Sequence, residues 1–438
     1  MTGRTWMEWE RIRRRRRRRR ILAVVVLLAV GVGWAVNWRL STRDERSSVN
    51  RTDRAQSAIN EKATAPGDKE GGEGKEPAAM GTDGAQSRLE AVAVLPLSGP
   101  FAAEGKALQR GMKTAMATSE EREMIALRFL DGWLSESAVR KALAQALERT
   151  SVGAVLVYLP VSKWQAVLAR ALERELLVIA LNPGPENLLE KASVLSFLGT
   201  DEDAAKDTAR LLASERLGSP VLLLTDGSPL GTRWAESLSA EADRLGLALT
   251  LMTWSDAASP LDLTQRPKTV FLAGAPHWAA EAIRVLELAQ CHSLYVLPYI
   301  LARPTLLESL GPLVEKVRFA VPMGGALEDE TEGFEDAFRR KFWKNPDWMA
   351  RVGYDAVRWV EQLFSEAPKD AGPNLSRKAL FGTEGPMSFQ GLVGALTVTE
   401  KGRVQRHMVF ARWKDGSFEP TSQESHRVEH AAERHIAP

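Results

Sequence analysis

From Leu89 onward, short and almost wholly apolar runs alternate with longer stretches of helical period. LEAVAVLPL precedes a predicted helix over 103–117, MIALRFLD one over 135–149 and GAVLVYLP one over 162–173, and LLVIAL follows. After SVLSFLGT the alternation restarts: a helix over 201–215, PVLLLT, a helix over 232–245, LALTLMTW, TVFLAG, a helix over 277–289, then LYVLP. Runs that are apolar at every position belong in parallel sheets covered by helices on both faces. Two such arrays predict an α/β chain with two doubly wound parallel-sheet lobes. EGFEDAFRRKFW and RVGYDAVRWVEQLF read as successive helices, and the segment from GPMSFQG to GSFEP, with its Gly and Asp-Gly turns, as antiparallel hairpins.

The first 88 residues break this pattern. RIRRRRRRRR runs straight into ILAVVVLLAVGVGWAVNW, an uncharged stretch over 21–38 that is long enough to cross a bilayer as a helix. Arginine on one flank sets the orientation: residues 1–20 cytoplasmic, everything after Arg39 periplasmic or extracellular, Trp34 and Trp38 at the far interface. The competing reading is a cleavable signal peptide, for which Gly33-Trp34-Ala35 is a poor processing site. An uncleaved single-pass anchor in a bacterial cytoplasmic membrane is the reading taken. Residues 39–88 contain STRDERSSVN and EKATAPGDKEGGEGKEP and too few large apolar side chains to offset their ordering entropy, which predicts a disordered linker. A coil of that length spans about 40 Å.

Charge and chemistry narrow the function. Ten arginines against Glu8 and Glu10 place +8 in the first twenty residues, so a formal net charge of +2 leaves −6 on the remainder. That argues against a nucleic-acid partner for the folded part. Cys291 is the only cysteine, which excludes an intrachain disulfide and a cysteine-based metal site; it reads as a small apolar side chain beside His292. His426 and His430 are spaced as half a metal site, but in a polar tail without a third ligand. No nucleophile with a spaced His and acid and no dinucleotide fingerprint is present, so neither catalysis, a cofactor nor a metal is expected.

LPLSGPFAAEGKALQRGMKTA, a strand that ends in Pro-Ser-Gly-Pro and turns at once into a helix, resembles the opening of type I periplasmic binding proteins of the leucine/isoleucine/valine-binding class. GTDEDAAKDTARLLASERLGSPVLLLTDGSPLGTRWAESLSAEADRLG is similar to that family's passage into its second lobe, and FEDAFRRKF, GYDAVRWVEQLF and FGTEGPMSF to its closing helices and strands. The resemblance covers Leu89 to Pro420. It implies two lobes joined by a three-strand hinge, with crossovers near Leu198, Val321 and Ala371, closing on a small ligand. Lobe I is then 89–198 with 322–371, lobe II 199–321 with 372–420, and 421–438 a polar tail.

Carried over by motif, the family's ligand positions fall on Ser98, Phe101, Glu104, Ser162, Asn182 and Tyr299, and most depart from the amino-acid pattern. An expected aromatic is Glu104, a serine pair is Val161 and Ser162, a tyrosine is Leu230, an aromatic is Ala275 and an acid is Tyr299. Ser98 and Ser162 read equally as helix caps, and Asn182 and Tyr299 as local packing. Trp133, Trp164 and Trp254 are candidates for the cleft or for core packing. The resemblance thus implies an anchored solute receptor whose inter-lobe ligand is not a standard amino acid. The alternative is a ligand-free fold that scaffolds a membrane or envelope protein partner.

Overall fold

The computed structural model describes residues 89–119, 125–148, 151–183, 194–215, 220–255, 266–324, 329–366, 387–399 and 403–421. The expected membrane span, the linker, the Arg-rich segment and the histidine pair of the tail lie outside them. No helix among the described residues is long and apolar enough to cross a membrane.

The first array is β1 (Leu89–Leu95), α1 (Ala102–Thr118), β2 (Ile125–Asp131), α2 (Glu136–Leu147), β3 (Val152–Val157), α3 (Trp164–Glu173), β4 (Leu177–Ala180) and β5 (Val194–Ser196). Its strands form one all-parallel sheet in the order β2-β1-β3-β4-β5. The second array is α4 (Asp201–Ser214), β6 (Val221–Thr225), α5 (Pro229–Leu245), β7 (Leu249–Thr253), β8 (Thr269–Ala273), α6 (Pro276–Leu288), β9 (Leu294–Pro298), α7 (Pro304–Leu310) and β10 (Val317–Val321). Its five strands repeat the same doubly wound order, β7-β6-β8-β9-β10. Two helices follow, α8 (Asp329–Phe342) and α9 (Trp348–Ser365), and both pack on α1. Then come β11 (Met387–Gly391), β12 (Gly394–Val398) and β13 (Val404–Arg406), a separate antiparallel sheet, and β14 (Val409–Lys414) and β15 (Ser417–Pro420), which extend the second sheet antiparallel to β10. Among the described residues read as lobe II after 372, only β14 and β15 pair with its sheet. All these pairings close within Gly84–Pro438, a compact unit of its own.

Local chemistry explains where elements begin. Helix α5 starts at Pro229, before the predicted 232, because Ser228 Oγ accepts the Gly231 amide at 3.2 Å and proline suits the first helical position. Thr200 and Asp347 cap α4 and α9 in the same way, each accepting an amide at 2.9 Å. The stretch predicted as a helix from 162 opens instead with a 3₁₀ turn, Val161–Lys163. Strands β3, β4, β6 and β8 are buried throughout, as their composition requires, whereas β7 is an edge strand with Leu251 half exposed. Helices α1 and α9 touch through glycine: a Cβ on Gly111 would lie 1.8 Å from the Ala350 carbonyl oxygen.

One buried side chain ties the passages between lobes together. Arg406, on β13, donates from Nε to the Phe197 carbonyl just past β5 at 2.7 Å, and from Nη1 to Val393 and Gly394 at 3.2 and 3.4 Å and to Pro322, just past β10, at 3.5 Å. Its guanidinium carbon also sits 4.5 Å from the centre of the Phe197 ring. Beside it, the buried Asp355 of α9 accepts the amides of Leu392 and Val393 at 3.0 and 2.7 Å. Burial drives these two groups toward neutrality, pushing Asp355 up to about 7 and Arg406 down to about 10.

Candidate functional site

In doubly wound sheets ligands bind beyond the carboxyl ends of the strands where the strand order reverses. Here those points are β1/β3 in one lobe and β6/β8 in the other. Between them lies a cavity of about 510 Å³. Lobe I contributes Glu104 from the first turn of α1, Tyr158 after β3, and Asn182 and Pro183 after β4; lobe II contributes Asp201, Leu230, Arg233, Tyr299, Ile300 and Arg303. Leu198, Asp347, Trp348, Met349 and Trp413 also line it.

Its polarity is concentrated. Asp201 is buried and its Oδ2 accepts from Arg233 Nη2 at 2.9 Å. Asp201 Oδ1, Arg233 Nε, Asn182 Oδ1 and the Tyr299 hydroxyl are all buried without a protein hydrogen-bond partner. Burial, then the neighbouring Asp201, raises the Tyr299 phenol well above its ordinary value; burial, then Glu104, does the same to Tyr158. Both phenols therefore stay neutral donors. Burial also lifts the Glu104 carboxyl above its usual range, against the pull of Arg303 and of its own amide. Arg303 spans the gap between lobes: its Nε donates to Ile300 at 3.3 Å and its guanidinium lies 4.9 Å from the Phe101 ring centre.

The residues expected from the sequence separate into two groups. Glu104, Asn182 and Tyr299 line the cavity; Ser98, Phe101 and Ser162 do not. Ser98 is exposed, in a loop held by Asp131, whose Oδ1 accepts the amides of Leu97 (3.0 Å), Ser98 (3.3 Å) and Trp133 (3.0 Å). Burial alone would raise the Asp131 carboxyl, but the Ser98 side chain and these amides outweigh it and hold it below the usual range. Gly99 makes this packing possible, at φ +74° with Trp133 so close that a Cβ would fall 2.1 Å from the indole. Phe101 packs at a tilt of 58° against Trp133 with ring centroids 5.3 Å apart. Ser162 is exposed in its 3₁₀ turn.

Lobe II repeats the device: Asp226 accepts Ser228 N at 2.9 Å and Ala275 N at 2.8 Å, which places Ala275 in loop packing and outside the lining. Trp164 and Trp254 belong to the core, where Trp164 Nε1 donates to Leu159 and the Trp254 carbonyl accepts from Trp278. The cavity tryptophans are Trp348 and Trp413. Sequence reasoning missed these two, with Asp201, Arg233 and Arg303; Asp201 did lie in a quoted family-like patch, GTDEDAAKD. Among the described residues no group of three or more His, Cys, Asp or Glu could hold a metal ion.

The family model for periplasmic binding proteins matches residues 91–417. Among solved structures, a putative branched-chain amino acid ABC transporter protein from Rhodospirillum rubrum is 17% identical, with a TM-score of 0.61 over 76% of this chain and 100% of that one. A leucine binding protein from Thermotoga maritima is also 17% identical, with a TM-score of 0.59 over 76% and 98%. A solute binding protein from R. palustris, solved with benzoate, is 15% identical, with a TM-score of 0.57 over 76% and 96%. No curated protein sequence matches. With the twin sheets, the cleft between them and a family match over well more than half of its length, the chain belongs to the type I periplasmic binding protein family.

Proposed function

We propose that this protein is a membrane-anchored, extracytoplasmic solute receptor whose lobes close on a small ligand other than a standard amino acid: an apolar, flat body with a polar end that both donates and accepts, such as a hydroxylated aromatic acid. The observation that carries this reading is that four residues lining the cavity, Asp201, Asn182, Arg233 and Tyr299, each keep a buried polar atom without a protein partner, within reach of a ligand only as the lobes close. Buried polar groups left unpaired cost about 1–3 kcal/mol each, so a ligand that pairs with them recovers that energy on binding. Arg303 suits a carboxylate, the neutral Asp201–Arg233 pair and Asn182 suit hydroxyl groups, and Tyr158, Trp348 and Trp413 suit an aromatic ring.

An α-amino acid fits less well. Its carboxylate calls for hydroxyls and loop amides, yet Ser98 and Ser162 lie outside the cavity and Asp131 holds the opening-loop amides. Its ammonium calls for an acid, and Asp201 is already matched with Arg233. The R. palustris protein solved with benzoate is a relative whose ligand is an aromatic acid. The anchor rests on the sequence of residues 1–38, and membrane fractionation with external protease tests it separately.

Thermal unfolding of Gly84–Pro438 with a panel of aromatic acids and the standard amino acids tests the ligand. At a hundredfold excess over Kd the gain is about 2.7 kcal/mol, or about 5 °C for a domain of this size. Arg233→Met should abolish the shift. A larger shift with an α-amino acid overturns the ligand class. No shift with any solute favours the scaffold reading, which the mutual neutralisation of Asp201 and Arg233 supports.

A further inference from the structure

The end of α8 carries the most exposed large apolar side chain among the described residues. Trp343 is 91% exposed, and it sits at φ +56°, a left-handed helix end where glycine is the usual residue. Nothing in local packing accounts for a tryptophan there. Its surroundings are basic. Arg340, Lys341 and Lys344 flank it and are exposed, and Lys341 Nζ donates to the Lys113 carbonyl at 2.9 Å, which brings α1 alongside. On α1, Lys106, Arg110 and Lys113 follow one another at helical spacing, and Arg110 lies close enough to Lys344 to depress its charged form after burial has done so. None of these six cations forms an ion pair with a carboxylate among the described residues. The nearby acids are committed: Glu335 and Asp336 to Arg339, Glu335 also to Arg351, and Asp347 to its helix cap.

We propose that this face of lobe I docks on a bilayer surface of anionic phospholipid, with Trp343 in the headgroup layer and the exposed Lys106, Arg340, Lys341 and Lys344 over the phosphates, while the half-buried Arg110 and Lys113 add to the positive field behind them. An indole with one apolar face and one donor favours that layer, and clustered Lys and Arg are attracted to its negative potential. Because a covalent anchor raises the effective concentration of membrane near the domain, even a weak patch would be occupied in the anchored protein, and to that extent this inference rests on the anchored reading.

The test is sedimentation of the Gly84–Pro438 unit, which lacks the proposed anchor, with vesicles of phosphatidylcholine alone or with added phosphatidylglycerol. Binding should require phosphatidylglycerol and weaken with salt. The triple change Arg340→Gln, Lys341→Gln and Lys344→Gln should cost about 100-fold, at about fivefold per charge, and Trp343→Ser about tenfold. Arg412→Gln with Lys414→Gln, a pair already engaged by Glu419, should leave binding unchanged. Absence of phosphatidylglycerol-dependent binding overturns the proposal, as does equal binding by the triple and Trp343→Ser variants, or retention of an acidic protein partner with no vesicle binding. The solute-induced thermal shift is read on the same unit without vesicles, so failure here leaves the ligand reading standing.

Discussion

Replacing Arg406 with methionine tests whether one guanidinium holds together the segments that follow β5 and β10 and the β11–β12 turn. The substitution keeps an unbranched stem of similar bulk and removes every donor. It strands the carbonyls of Phe197, Val393 and Gly394, which accept from Arg406 at 2.7, 3.2 and 3.4 Å, in a site where the side chain is only 6% exposed. At about 2 kcal/mol for each orphaned buried acceptor the loss is about 6 kcal/mol. Against this stands the cost of keeping the guanidinium charged in a dry site. Burial brings Arg406 from 12.5 down to about 10 even with Asp355 close by, which is about 3 kcal/mol that methionine no longer bears.

The balance is a destabilisation of about 3 kcal/mol at pH 7, since the stranded carbonyls outweigh the relieved desolvation. Urea unfolding of Gly84–Pro438 measures it as a shift in midpoint at constant slope. Arg406→Lys keeps a charge but offers a compact ammonium in place of a fork, and should fall between the two. A loss below about 1 kcal/mol for Arg406→Met would refute the reasoning, because it would mean that these carbonyls find other partners as these segments relax.

Two further outcomes follow from the carboxylates. Burial raises Asp355 to about 7 in the folded protein, so the folded state binds this proton more tightly than the unfolded chain. Stability should therefore fall as pH rises from about 4 to about 7, by about 4 kcal/mol from this group; unfolding curves across that range should be flatter for Asp355→Asn, and parallel curves would sink the assignment. Asp131 has the opposite sign: its carboxyl is held low, so the stability it adds is present above the unfolded value and is lost as pH falls through the folded one. Asp131→Ala, which strands three amides at a partly solvated loop, should cost about 2 kcal/mol at pH 7 and progressively less in acid, measured by the same unfolding assay.

The twin sheets were legible because buried parallel strands leave an unmistakable trace: GAVLVYLP and PVLLLT have no polar face to misread, and the caps of α4 and α5 stand in the sequence as Thr200 and Ser228. The cavity lining was legible only where it sits next to a strand end in the chain, as at Glu104, Asn182 and Tyr299. Asp201 and Arg233 look like the solvated charges of any helix until their helices are packed together, and Trp348 and Trp413 reach the cavity from elements far along the chain. Ser98 lies outside the cavity lining for a reason no local pattern carries: the carboxylate that takes the loop's amides, Asp131, lies 33 residues away.

The position of that loop also bears on function. In each lobe a carboxylate at the end of a strand, Asp131 as the last residue of β2 and Asp226 just after β6, accepts amides of the loops at the switch point. Loop amides and a helix N-terminus form a ready anion site only while they are free. With an internal carboxylate accepting them, the positive end of the dipole is answered from within the protein and an incoming carboxylate finds less to bind. On the proposed reading, recognition then passes to side chains of the second lobe, Asp201, Arg233 and Tyr299, which leave polar atoms unmatched by the protein. On that reading, a cleft built this way favours what a side-chain pair can read, a donor and an acceptor on a rigid apolar frame, over the compact zwitterion that backbone amides hold best.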